Sequence, residues 1–165
     1  MKYTVDTNVP IIANGHSDPD SEQFATIECQ LASVQFLRRA LTAGKVVLDL
    51  EGEVIAEYRR YLRPSGQPGV GDQFYLAVIN SHPDRIIRVA LEKRPDGQFA
   101  DCPQRLIDSN FDPSDRKFAA IACNASAVVV NATDSDWVNH RDVISECGIT
   151  VDNICGCDTA QWFVA

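Results

Sequence analysis

The chain has 165 residues, with 15 Lys and Arg against 23 Asp and Glu, for a formal net charge of −8. Its 45% hydrophobic and 23% charged residues exclude disorder, collagen and coiled coil as descriptions of the whole, and the length suits one domain with one sizeable core. An acidic balance also disfavours non-specific capture of nucleic acid, unless clustered acids hold divalent cations that invert the local charge.

In chain order, Lys2 to Val5 reads as a short first strand. The start carries no apolar stretch before Asp6, and no run approaches the roughly 20 apolar residues of a membrane span, so a soluble cytoplasmic protein is expected. Glu22 to Ala43 reads as a helix stopped by Gly44, and Lys45 to Leu48 as a second strand. A helix follows over Gly52 to Leu62. Pro64, Gly66, Pro68, Gly69 and Gly71 then mark Arg63 to Gly71 as a flexible loop. Arg85 to Leu91 reads as the third strand, while Lys93 to Asp112 has poor periodicity. Pro113 to Asn124 reads as a helix, and Ala127 to Val130, rich in β-branched residues, as a central parallel strand. Asn139 to Cys147 is a further helix and Gly148 to Val151 the last strand. Strands separated by helices imply right-handed crossovers. The expected fold is α/β: a single α/β/α sandwich over residues 1–165 around a mostly parallel sheet of about five strands.

Six cysteines are too sparse for a disulfide scaffold of this size and are expected as thiols, with Cys29, Cys123 and Cys147 acting as small buried side chains. Cys155 and Cys157 form the only close pair, without the spacing of a zinc site. His16, His82 and His140 read as surface residues. Trp137 and Trp162 read as core or interface anchors rather than base-stacking platforms.

Ligands of open parallel sheets bind outside the carboxyl ends of the strands, and there the acids crowd. Asp6-Thr7-Asn8 follows the first strand. Asp49, Glu51 and Glu53 follow the second and lead into the helix bearing Glu57, and Asp134-Ser135-Asp136 follows the fourth. The helix before that strand opens with Asp112-Pro113-Ser114-Asp115. Each acid has a structural alternative. Asp6 suits an Asx turn, and Asp112 suits a helix N-cap with Pro113 at the first helical position and Asp115 at the third. Glu53 suits a solvated surface, and Asp134 and Asp136 suit a turn. Glu57 flanks the apolar stripe of Val54, Ile55, Tyr58, Tyr61 and Leu62, a position that a solvated acid has no need of. Four or more converging carboxylates would repel one another unless they share cations, and hard oxygen donors suit Mg²⁺ or Mn²⁺. Such a site performs hydrolytic phosphoryl chemistry.

Four segments carry a family resemblance: Val5-Asp6-Thr7-Asn8-Val9, Ile55-Ala56-Glu57-Tyr58, Asp115 to Ala122, and Asn131-Ala132-Thr133-Asp134-Ser135-Asp136-Trp137. Together, in this order, they resemble the PIN-domain family of metal-dependent nucleases, which includes the toxin ribonucleases of bacterial toxin/antitoxin pairs. The resemblance implies an acidic pocket cutting RNA, or in some relatives DNA, with Mg²⁺ or Mn²⁺. By position, Asp6, Glu57, Asp115 and Asp134 look like the acidic quartet, Asp136 an additional metal ligand, and Asn8 and Thr133 polar supports. It further implies an antitoxin partner and a homodimer. Relative to the compact toxins, the extra length falls roughly in Arg63 to Asp112. Arg59, Arg60 and Arg63 near Glu57, with Arg116 and Lys117 beside Asp115, are the candidate phosphate contacts. Solvated helix faces explain the same basic residues, and Arg60 is spaced to pair with Glu57. Two other readings compete: a PIN-like scaffold that binds RNA or a protein without cutting, and a phosphohydrolase using Asp134-Ser135-Asp136. The second lacks a well-placed Lys after its motif.

Overall fold

A computed structural model describes residues 1–19, 21–80 and 84–165. Five strands, β1 (Lys2–Val5), β2 (Lys45–Asp49), β3 (Ile86–Val89), β4 (Val128–Asn131) and β5 (Val151–Asn153), form one all-parallel sheet in the order β3-β2-β1-β4-β5. The expected α/β/α sandwich is therefore the observed architecture. Val5 and Val130 pair in register, so the residues after β1 and β4 leave the sheet side by side. The chain runs outward from β1 through β2 to β3, then returns past β1 to β4 and β5. The gap between β1 and β4 is thus the switch point of the sheet, where a crevice opens at the carboxyl ends of the strands.

Right-handed crossovers put the helices of the first two connections on one face and those of the last two on the other. On the first face α1 (Asn8–Ala13), α2 (Ile27–Ala43) and α4 (Val70–Asn80) pack together, and α3 (Glu53–Tyr61) lies against β2. On the second, α6 (Arg116–Ala125) crosses β1 to β4, and α5 (Gln104–Asp108) touches α8 (Arg141–Glu146). The short α7 (Ser135–Asn139) joins β4 to α8. Among the described residues no helix is long and apolar enough to cross a membrane.

Several boundaries differ from the sequence expectation for local reasons. Helix α2 starts at Ile27 rather than Glu22, because the Thr26 hydroxyl caps the Cys29 N–H and the preceding segment makes a β-bridge between Ser17 and Phe24. Strand β5 begins at Val151 rather than Gly148, since Gly148 (φ 75°) ends the α8 turn and the chain must still reach the sheet edge. Asp112 is not a helix N-cap. It caps the turn before α6 by accepting bonds from the Ser114 N–H and hydroxyl, and the N-cap of α6 is Asp115.

Cys29 and Cys155 are disulfide-bonded, with Cα atoms 4.9 Å apart, which corrects the expectation of six thiols. The pairing joins the first turn of α2 to the residue two beyond β5, a proximity that spacing along the chain does not encode. Cys102 is buried, while Cys123 and Cys147 are half-buried against the core. Trp162 is buried and donates to the Gly156 carbonyl. His16 is exposed, whereas His140 is half-buried between the Asp136 and Ser109 carbonyls and corrects its surface assignment. His82, also expected at the surface, lies outside the described residues.

Helix α1 begins two residues after Asp6, so its seating sets the geometry of the crevice. It is fixed from α4: the Asn14 side chain accepts the Gly71 and Asp72 N–H groups and donates to the Asp72 carboxylate. A Cβ on Gly71 would lie 1.9 Å from the Pro10 carbonyl oxygen, so only glycine allows this approach. Gly71→Ala is therefore expected to destabilise the fold by about 2–3 kcal/mol, read as a lower urea midpoint at unchanged slope. A midpoint equal to the parent's would contradict this packing.

Candidate metal centre

Asp6 leaves β1 at the switch point and is buried. Its two oxygens are held separately: Oδ2 accepts the Trp137 indole N–H at 2.8 Å and Oδ1 the Asn8 backbone N–H at 3.1 Å. Trp137 is fully buried against Phe111, which makes it the core anchor expected of it and also an aiming device for Asp6. Asp134 leaves β4 beside Asp6 and caps α7, its Oδ1 accepting the Asp136 N–H at 2.8 Å. Asn131 fixes the Asp134 backbone, accepting its N–H at 3.0 Å and donating to its carbonyl at 2.9 Å. Asn8 in turn bonds Asn131 Oδ1 at 3.1 Å and accepts the Ala132 N–H at 2.8 Å. The carboxyl ends of β1 and β4 are thereby locked through two amide side chains.

Asp115 arrives from the opposite face as the N-cap of α6, yet its side chain makes no capping bond. It is turned instead toward Asp134, with which it shares a hydrogen bond, and the Ser114 hydroxyl lies 3.4 Å from its Oδ1. One carboxylate oxygen each from Asp6, Asp115 and Asp134 lies within 4.8 Å of the others. These three line a cleft of about 130 Å³ together with Thr7, Asn8, Glu57, Arg60 and Ser114.

Glu57 reaches the same cleft but stands outside the three-oxygen set. The Thr7 hydroxyl donates to its Oε1, and the Lys117 ammonium pairs with its Oε2. Asp136, expected as a further ligand, is turned away: its Oδ2 accepts the Asp112 N–H at 2.8 Å and its Oδ1 lies 3.8 Å from His140 Nδ1. Thr133 supports buried Asp18 rather than a cluster carboxylate. Of the other acids at this edge, Asp49 caps α3 through the Glu53 and Val54 N–H groups, Glu51 accepts the Leu91 N–H, and Glu53 pairs with Lys93.

The five basic candidates separate. Arg60 lines the cleft, while Arg63 is exposed and Arg59 reaches toward the Tyr75 hydroxyl at 3.5 Å. Arg116 is buried, its guanidinium bonding the Phe111 carbonyl and Gln98 Oε1, so it braces the segment before α6 and is no phosphate contact. Lys117 is buried against Glu57. Thr7, Asn131 and Trp137 fall inside the quoted motif segments and Asp18 outside them, but no sequence pattern assigns any of the four its bond in this network, because the partners lie far apart in the chain.

No model of a known family, no curated protein and no solved structure matches the chain.

Three close carboxyls are electrostatically costly. Burial above all, then the Asp134 charge, pushes the Asp6 carboxyl from 3.8 up to about 7, against the pull of the Trp137 and Asn8 N–H bonds. Burial, followed by the charges of Asp6 and Asp134, pushes Asp115 from 3.8 up to about 10. Both groups keep protons in the folded chain that they release on unfolding, so the metal-free fold loses stability as pH rises from about 4 toward 7 for Asp6 and toward 10 for Asp115. Asp115→Asn removes the larger contribution without breaking a cap. Its Tm in EDTA at pH 8 is expected to exceed the parent's by at least ~3 °C, about 1 kcal/mol for a chain of this size, with the gain vanishing near pH 4. A Tm below the parent's at pH 8 would contradict the strained cluster.

Proposed function

We propose that this chain is a metal-dependent endoribonuclease whose centre is the trio Asp6, Asp115 and Asp134. The observation that carries this reading is their convergence: Asp6 meets two carboxylates that lie over a hundred residues further along the chain, and the three, two of them buried, present oxygens within 4.8 Å of one another at the sheet's switch point. Hard oxygen donors of net negative charge fit Mg²⁺ or Mn²⁺, and the charge of such an ion offsets the burial and the mutual repulsion that otherwise keep protons on Asp6 and Asp115. When bound, the ion lowers the pKa of a water and offsets the charge of a phosphodiester.

The chain's own residues would do the rest. Trp137 and the Asn8 N–H orient Asp6, and the Asn8 to Asn131 bridge keeps Asp134 in reach of it. Ser114 steadies Asp115, and Arg60, exposed at the cleft, is placed to meet a substrate phosphate. RNA as the substrate, an antitoxin partner and pairing of two chains rest on the resemblance of the sequence motifs to PIN-domain toxins, whereas a cytoplasmic setting has the Cys29–Cys155 disulfide against it, since reducing compartments keep thiols free.

The test is cleavage of end-labelled single-stranded and hairpin RNA by purified protein in Mn²⁺, Mg²⁺ or EDTA. The reading expects cutting that requires metal and falls at least ~100-fold in both Asp6→Asn and Asp115→Asn, since loss of a ligand costs more than loss of its support. Cutting that persists in EDTA, or in both variants, would sink it. No cutting together with no Mn²⁺ binding by the parent would favour the non-catalytic scaffold.

A further inference from the structure

The fourth acid of the cleft already has its cation. Both oxygens of Glu57 are engaged, Oε1 by the Thr7 hydroxyl and Oε2 by the Lys117 ammonium. The Lys117 side chain is 8% exposed, and its ammonium also donates to the Ser114 carbonyl and lies 4.8 Å from the centroid of the Phe118 ring. It is thus anchored by the two residues that bracket Asp115 and its helix start, and it cannot leave Glu57 without stranding a buried charge. The other basic groups are engaged elsewhere or reach solvent: Arg116 is spent on Phe111 and Gln98, and Lys93 on Glu53.

Resting on the metal-dependent reading above, we infer that the cleft takes a single divalent cation, held by Asp6, Asp115 and Asp134, and that Lys117 supplies in place of a second ion the charge that Glu57 demands. Lys117 is then a positioning residue. It holds Glu57 outside the coordination shell and sets the metal count at one. A compact ammonium suits this role, because it places one full charge at a point without the planar fork of Arg.

The test counts Mn²⁺ by calorimetry and by the electron paramagnetic resonance signal of free Mn²⁺, without reference to cutting. The parent should bind one ion. Lys117→Met, which keeps an apolar stem on Phe118, should bind two, and Lys117→Met/Glu57→Gln should bind one again with an affinity within about threefold of the parent's, since Glu57 does not ligate that ion. Two ions on the parent, one on Lys117→Met, or a more than tenfold loss of affinity in the double variant would each overturn the inference while leaving the metal centre standing. No ion on the parent would overturn both. Should Lys117→Met fail to fold with Glu57 unpaired, Lys117→Gln, which keeps a hydrogen-bond donor for Glu57 without the charge, takes its place and should likewise bind two ions.

Discussion

Everything at the carboxyl edge of this sheet depends on the side-chain amide bridge between Asn8 and Asn131. It crosses the switch point, where two adjacent parallel strands send their chains to opposite faces and nothing in the backbone ladder continues to hold them together. Asn131 is fully buried and bonds Asn8, both backbone groups of Asp134, and Asn153 on β5. An amide can serve as donor and acceptor at once, so two of them tie three strand ends without introducing charge. The alignment of Asp6 with Asp134 is a consequence of that lock, with Trp137 adding the bond that turns Asp6 inward.

The cost of the arrangement falls on the carboxyls. Burying two acids and placing the oxygens of all three within 4.8 Å is unfavourable unless the fold compensates for it. The fold meets that cost in two ways. Hydrogen bonds from Trp137 and from the Asn8 backbone favour the charged form of Asp6, while protons remain on the groups that burial and repulsion leave worst placed. Glu57 is handled differently, with a full cation beside it. One cleft therefore contains both an acid paired with a cation and a trio of acids whose oxygens crowd together, and that asymmetry gives the region chemical direction. It also reconciles a net charge of −8 with the phosphodiester substrate we propose, since the local charge at the cleft would be set by the bound ion and Arg60 rather than by the whole surface.

How far the sequence reveals this depends on where each signal resides. The five strands were legible because β-branched runs such as Val128 to Val130 have no competing reading, and the order of acids after them located the edge where Asp6, Asp115 and Asp134 meet. Helices α1 and α4 were not. All six residues of α1 are buried, so no polar face produces a 3.6-residue rhythm, and the Phe74 to Ile79 run of α4 is apolar almost throughout behind a Gly- and Pro-rich loop. The pairing of Cys29 with Cys155 and of Lys117 with Glu57 joins residues far apart in the chain, which spacing does not encode. Asp136 and Arg116 show the limit of motif position: both sit within two residues of a cluster residue, yet one or two residues of helix or turn are enough to rotate a side chain to Asp112 or Phe111 instead.

The central claim is that Asp6 and Asp115 hold protons until a divalent cation takes their place. It is tested most directly by titrating Mn²⁺ calorimetrically at pH 7 in buffers of differing ionisation enthalpy. The account predicts binding accompanied by release of roughly one to two protons per ion, because Asp115 with a pKa of about 10 is protonated at that pH and Asp6, at about 7, is half so. Binding with no proton release, or no binding at all, would contradict it.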